Sequence, residues 1–459
     1  MKLVGYLLLT LLLSCSSLTE KKIPSKADLS GFWEQQGEGE IVEFKDSLVI
    51  FYNSSSFNCY PYWKMSREEF NTDSPTVQIV DETTFTNQEG YTILTYKKVD
   101  KPAVICTDLT EEQIASNSYN FETIWHTFND QYAFFEERKV DWEEVKTRYQ
   151  ARFTEETLPF EFYLLLEEMV LELGDEHSDF VVPDEFEEQW DQMMKDSDAD
   201  EYRGQVKDEI LEKYVSDVQM YNGNQLVWGD ISDRIAYVQF NGMDGLADYQ
   251  PTSADDYWEA AEESDDYEQD LFDGTHTIAT RIVNDIQDSE ACIIDLRFNS
   301  GGYDQVGLAF LSHFIDQEYE VFKKKRRLND SFSDYQIIDI KPSKPSYLKK
   351  VYVLMSPFTV SAAETTIIAS RQFPNFTWVG SNTAGALSDM LYKRLPNGWL
   401  YHLSNEVYET MDGQVFEVGG INPHYLLDYP REEEELFRSL LTEVETQDRA
   451  IEKVKALVQ

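Results

Sequence analysis

The chain has 459 residues and a formal net charge of −47, from 39 basic and 86 acidic side chains. That balance excludes non-specific nucleic-acid binding and repels an anionic membrane surface. Hydrophobic residues at 42% and aromatics at 14% supply real cores and exclude a disordered chain, while the length predicts two or three domains.

The N-terminus reads MKLVGYLLLTLLLSC. Lys2 is a charged n-region, residues 3–13 are apolar but too short to span a bilayer as a helix, and Ser14 precedes Cys15. An apolar run that stops at a cysteine and continues as a polar tether resembles the bacterial lipobox. Residues 1–14 therefore read as a signal peptide, Cys15 as the lipidated residue and 15–28 as its tether. The expected location is the bacterial cell envelope, on a periplasmic or extracellular face, with lipid rather than charge holding the membrane. In that oxidising compartment Cys59 and Cys106 are a candidate disulfide, and Cys292, inside an apolar run, reads as core.

Residues 29–107 carry short alternating strands with Gly, Asn and Asp turns, which predicts a small β-rich barrel or sandwich. From Thr110 the period becomes helical. Phe121, Ile124, Trp125, Phe128 and Tyr132 form one apolar stripe, Trp142, Val145 and Tyr149 a second, and Phe162, Leu165, Leu166, Met169, Val170 and Leu173 a third. Gly174 stops the last of these, and His177 follows on the turn Asp175-Glu176-His177-Ser178. Among six histidines, with His126, His276, His313, His402 and His424, His177 is the best placed for a cleft. Residues 185–222 are acidic and helical in pattern, and 246–274 read as an acidic surface insertion with a short helix. A helix over 277–286 leads to an apolar strand over 291–296 that ends in Arg297-Phe298-Asn299-Ser300-Gly301-Gly302. Two glycines at a strand end permit close backbone approach and expose amides. Strand and helix alternate from Ile235 to Arg371, so residues 230–430 read as an α/β core, 110–229 as a helical subdomain and 431–459 as a C-terminal helix.

The stretch at the centre of this core is VYVLMSPFTVSAAE, residues 351–364: an apolar strand, a Ser-Pro turn and a helix opening at Ser361. A serine over a helix N-terminus meets unpaired amides and a dipole that favour developing negative charge. The amide of Ala362 would face an oxyanion formed by attack from Ser361. An ordinary N-cap explains a serine there equally well. Downstream, Glu417 precedes a Gly-Gly turn and a proline, where a carboxylate can orient a histidine and stabilise its imidazolium.

Helical bundle, LGDEHS, DLRFNSGG, FTVSAAE, VGSNTAGA and FEVGGINP occur in that order. Together they resemble the tricorn-core, tail-specific and C-terminal-processing serine peptidases, nearest the tricorn and interphotoreceptor retinoid-binding-protein-like branch, over residues 120–427. The resemblance implies a helical subdomain joined to a crotonase-like (ClpP/crotonase-type) α/β core. It implies Ser361 as nucleophile, His177 as general base and Glu417 as the group orienting that base, with oxyanion donors from Gly301 or Gly302 and from Ala362. The branch with a Ser-Lys dyad keeps a lysine where this chain has Ala386, so the His-based machinery is the better fit and a lysine such as Lys393 is the alternative base. Three positions depart from the family pattern: Glu176 before the histidine, Ala362 after the serine and His424 after the proline. Glu176 and Glu417 near the imidazole would raise its pKa.

The implied function is a lipid-anchored envelope serine endopeptidase acting on peptides or proteins, with no metal and no organic cofactor. The alternatives are a non-catalytic peptide- or hydrophobic-ligand-binding protein on the same fold and an acyl-CoA enzyme with a similar oxyanion hole.

Overall fold

The computed structural model describes residues 25–193, 197–249, 254–264 and 266–459; the signal segment and Cys15 lie outside them. The first strands, Gly31–Gln35 to Thr92–Val99, pair as one seven-stranded antiparallel sheet whose end strands are Cys59–Ser66 and Val77–Ile79. The sheet curls, because Met65 from one end strand and Val77 from the other share a single apolar cluster around Trp33, Phe44 and Phe85. Among the described residues those end strands do not pair, so the sheet is neither a closed barrel nor a two-layer sandwich. Cys59 and Cys106 form a disulfide that staples the following segment to it, and Cys292 is a buried free thiol.

Helices Asn117–Gln131, Trp142–Gln150 and Pro159–Leu171 bury the three stripes against one another. Their core also takes Leu395, Trp399, Tyr401 and Leu403 from far downstream, since Leu400–Ser404 pairs with Asp179–Phe180 just after His177. This is how the histidine turn comes to the core although the serine lies 184 positions later in the chain.

The second seven-stranded sheet holds the site. Ile235–Phe240, Ala291–Asp295, Lys350–Met355, Phe376–Gly380 and Tyr425–Leu426 run parallel side by side, and Leu226–Ser232 and Ser216–Tyr221 extend it antiparallel. Helical periodicity assigned 216–222 wrongly: Ser216–Tyr221 is a strand on the sheet edge, so the core begins before residue 230. Alternate side chains enter opposite layers, as a strand buried on both faces requires. Cys292 and Ile294 meet helices Tyr267–Asp285, Asp304–Leu311 and Ala362–Ser370, while Ala291 and Ile293 meet Ala199–Tyr214, Glu433–Val444 and Arg449–Val458. The acidic insertion is more helical than its charge suggests. Tyr267–Asp285 starts ten residues before the expected helix because the Asp266 side chain caps it and Leu271 and Thr275 continue the buried face.

Parallel strands deliver their C-terminal ends to one edge of the sheet, where ligands bind in open α/β folds. The loops after Ala291–Asp295, Lys350–Met355 and Phe376–Gly380 therefore converge. The first is anchored by Arg297, which is fully buried and paired to Asp295 at 2.7 Å and to Asp448 of the C-terminal segment at 2.9 Å. Removing Asp448 leaves the buried guanidinium with Asp295 alone. Asp448→Ala should lower unfolding free energy by about 3–5 kcal/mol, read by denaturant titration; a loss under about 1 kcal/mol would show that the tail does not anchor this loop.

Candidate active site

Ser361 has φ 59° and ψ −129°, and its side chain makes no capping hydrogen bond. An L-residue held there costs about 1–3 kcal/mol of backbone strain, so the plain N-cap explanation fails: a cap residue is extended and bonds its own helix. The turn is held by its neighbours. Ser356 Oγ donates to the Arg297 carbonyl at 2.7 Å and Thr359 Oγ1 to the Leu296 carbonyl at 2.8 Å, which clamps residues 356–360 to the adjacent strand end. The Ser361 amide donates to the Ala386 carbonyl at 3.1 Å, and the Ser361 carbonyl accepts from Glu364 and Thr365 to start the helix.

The two glycines have different work. The Gly301 amide donates to Asn299 Oδ1 at 2.8 Å and is not free. Its φ is 97°, and a Cβ there would lie 2.5 Å from Ser361 Cβ, so Gly301 is the position that lets the loop touch the serine. Gly302, with φ 130°, packs against the Met243 carbonyl. The amides of Gly302 and Ala362 have no partner among the described residues. These two, rather than Gly301, are the donors available to an oxyanion.

His177 is buried, and its Nδ1 lies 2.5 Å from the Ser388 carbonyl. A carbonyl only accepts, so Nδ1 carries the proton and Nε2 keeps the lone pair a base needs. Asp175 Oδ1 accepts the His177 amide at 3.0 Å and Asp175 Oδ2 accepts Ser178 Oγ at 3.2 Å. Burial holds the imidazole below its ordinary pKa, outweighing the Asp175 carboxylate that pulls the other way. The expected upward shift is thus reversed. Glu176 is exposed and has no bond to the ring among the described residues.

Glu417 does not meet the imidazole directly. Its Oε2 accepts the amides of Leu387 at 2.8 Å and Ser388 at 3.2 Å, so it reaches His177 through Ser388, the residue whose carbonyl holds Nδ1. Burial, with Asp175 adding, pushes the Glu417 carboxyl up to about 8. Lys393 is buried away from the serine: its ammonium donates to the Glu38 carbonyl, with the Gly39 carbonyl at 3.4 Å and Asn53 Oδ1 at 3.5 Å. It ties the strand Met390–Arg394 to the N-terminal sheet and is no base for Ser361. His424 stacks on Trp378 and accepts its amide. No hydrogen bond joins Ser361 to His177 among the described residues.

Sequence reasoning missed Glu364, three residues into the helix behind the serine. Its buried carboxylate accepts from Thr383 Oγ1, from the Gly385 amide at 2.9 Å and from the Ala386 amide at 2.9 Å, and burial pushes it up to about 7. Through Ala386 it fixes the carbonyl that receives the Ser361 amide. A glutamate at the first turn of an otherwise uncharged helix was the available signal.

Ser361, Gly302, Leu387 and Ser388 line a cavity of about 470 Å³. Tyr91, Thr92 and Leu94 of the N-terminal sheet form part of its wall. Six carboxylates line it against two cations, Lys324 and Arg326, and both cations pair with Glu406. No group of three or more His, Cys, Asp or Glu able to hold a metal occurs among the described residues.

If Gly301 serves close approach, Gly301→Ala should displace Ser361 and lower kcat on the order of 10²-fold in a protein with unchanged circular dichroism. Near-normal kcat would remove the Gly301–Ser361 contact from the site.

Residues 234–427 match the model of peptidase family S41, and residues 115–171 match the tricorn protease C1 domain. A structure described as that of a proposed peptidase from Parabacteroides merdae is 20% identical, with a TM-score of 0.54 over 75% of this chain and 96% of its own. Mature CPAF complexed with lactacystin is 12% identical, with a TM-score of 0.50 over 75% of this chain and 98% of its own. Both share the fold. With the matched stretches falling on the helices that lead to the His177 turn and on the sheet that leads to Ser361, the chain is a serine-type peptidase, similar to family S41 over residues 234–427 and to the tricorn protease C1 domain over residues 115–171.

Proposed function

We propose that the chain is a serine endopeptidase of the bacterial cell envelope, anchored by lipid at Cys15, with Ser361 as nucleophile and His177 as general base on a crotonase-like core. The observation that carries this is the left-handed backbone of Ser361 at a strand-turn-helix junction, beside two uncommitted amides and open to a cavity. A peptide carbonyl bound over Ser361 would be attacked by Oγ while His177 Nε2 takes the proton. The negative oxygen would be met by the Gly302 and Ala362 amides, and the same proton would leave with the amine. The Ser361–His177 hydrogen bond forms on substrate binding, as catalytic bonds tighten in the Michaelis complex.

The Ser388 carbonyl takes the place that a triad carboxylate holds, selecting the Nδ1–H tautomer. Glu417 supports that peptide from behind. The excess of carboxylates around the cavity disfavours acidic peptides and favours neutral or basic ones. Part of the wall comes from the N-terminal sheet, so that domain takes part in choosing which peptides enter.

A serine-directed fluorophosphonate should label wild type and not Ser361→Ala, and Ser361→Ala or His177→Ala should each cost on the order of 10⁴-fold or more in kcat. The base works as neutral imidazole, so activity rises with pH through its pKa. Because burial lowers that pKa, the acid limb should fall below ~6.5. Labelling at another residue, or a limb well above that value, would reject the assignment.

The anchor is tested separately. Wild-type protein should partition into the detergent phase of a cell extract and Cys15→Ser into the aqueous phase. No helix among the described residues is long and apolar enough to cross a membrane, so wild type in the aqueous phase would end the lipid proposal.

A further inference from the structure

One cation touches both supports of the base, and the mechanism above assigns it nothing. Arg138 ends the short helix Phe135–Arg138, and Lys139 turns the chain away in the left-handed region at φ 59°. Its side chain is 8% exposed, with Nη2 3.4 Å from Asp175 Oδ1 and 3.2 Å from Glu417 Oε1, on side chains that are themselves 0% and 2% exposed. Nη1 donates to the Gly174 carbonyl at the head of the histidine turn.

Each carboxylate holds one side of His177. Asp175 accepts the His177 amide, and Glu417 accepts the Ser388 amide, whose residue's carbonyl receives His177 Nδ1. The contacts close a ring: guanidinium, Asp175, the His177 backbone, its imidazole, the Ser388 peptide, Glu417 and back to the guanidinium. Four separate stretches of chain meet in it.

We propose that Arg138 is a positioning residue for the general base, locking the two carboxylates that fix the backbone and ring of His177 and compensating their charge. The proposal rests on the role given to His177 above. Without a cation between them Glu417 and Asp175 could not both ionise, and the guanidinium's hold on both supports would be lost. The titratable groups acting on the imidazole are Asp175 on its own turn, His402 from the strand Leu400–Ser404 and Asp304 at the start of Asp304–Leu311, with the Arg138–Glu417 pair behind Asp175. Asp175 favours the imidazolium most among them. Taking away the guanidinium leaves that charge uncompensated, so the imidazole pKa must rise and the acid limb must follow it upward. A merely structural arginine would cost stability and leave the limb where it is.

The experiment uses the full chain with labelled histidine. The His177 ring is titrated by NMR, and kcat and KM are measured against pH, for wild type, Arg138→Met and Arg138→Lys. In Arg138→Met the His177 pKa should rise by roughly 0.5–1 unit, and kcat should fall about 10²-fold with KM nearly unchanged. Arg138→Lys should restore the pKa, since the charge returns. It should restore only part of kcat, since an ammonium cannot span both carboxylates with a rigid fork. An unmoved His177 pKa in folded Arg138→Met overturns the proposal. If Arg138→Met does not fold, Arg138→Lys decides: wild-type kcat in that variant overturns it. Should wild type show no hydrolysis while the His177 pKa still shifts as stated, the peptidase mechanism fails and the clamp stands. Hydrolysis in wild type with neither quantity moving in the variants does the reverse.

Discussion

The site depends on a serine held where an L-residue resists being held. At φ 59° and ψ −129° Ser361 opens its helix without capping it, and the strain is borne by the structure around it. The clamp of Ser356 and Thr359 on the neighbouring strand end, the Ala386 carbonyl under the Ser361 amide and the glycine pressed against its Cβ all serve one backbone conformation. Small residues are required for the same reason. Side chains at Gly301 would meet the serine, and side chains at Gly302 would meet the Met243 carbonyl. Strain at one residue and glycine at its neighbours are a single constraint seen twice.

The proposed base, His177, is governed by burial and by a backbone carbonyl. A carboxylate against Nδ1 would favour the imidazolium; a carbonyl selects the tautomer without adding a full charge. Desolvation then favours the neutral ring that proton acceptance requires. Glu417 sits one peptide away, where it can order the Leu387–Ser388 segment with little direct pull on the proton. The acids of this site are arranged to hold backbone, as Glu364 also does for the segment 383–386.

Much of the core was legible because its signals are local. Apolar runs gave the strands, and stripes of Phe, Trp and Leu gave the helices around Phe121 and Phe162. The strand-turn-helix at 351–364 showed where a nucleophile would stand. What failed was non-local. Ser216–Tyr221 is a largely exposed edge strand recognisable only from its partner Leu226–Ser232. Sequence offered two glycines as donors and could not say that Asn299 occupies one of them. Nor could it separate the carboxylate that touches a ring from the one that touches the peptide beside it, since the two differ by a single hydrogen bond between residues far apart in the chain. Arg138 carried no mark at all: its importance lies in which two buried acids it meets.

The central claim is that Ser361 attacks and that the Gly302 and Ala362 amides receive the oxygen. The most direct measurement is a crystal structure of the protein with a peptide boronate bound. The account predicts a covalent bond to Ser361 Oγ, with one boronate oxygen roughly 2.7–3.1 Å from both amides and His177 Nε2 within hydrogen-bond reach of Oγ. A boronate on Ser361 with that oxygen turned to solvent or to the Gly301 side, or no adduct at Ser361 in protein that hydrolyses peptides, would contradict it.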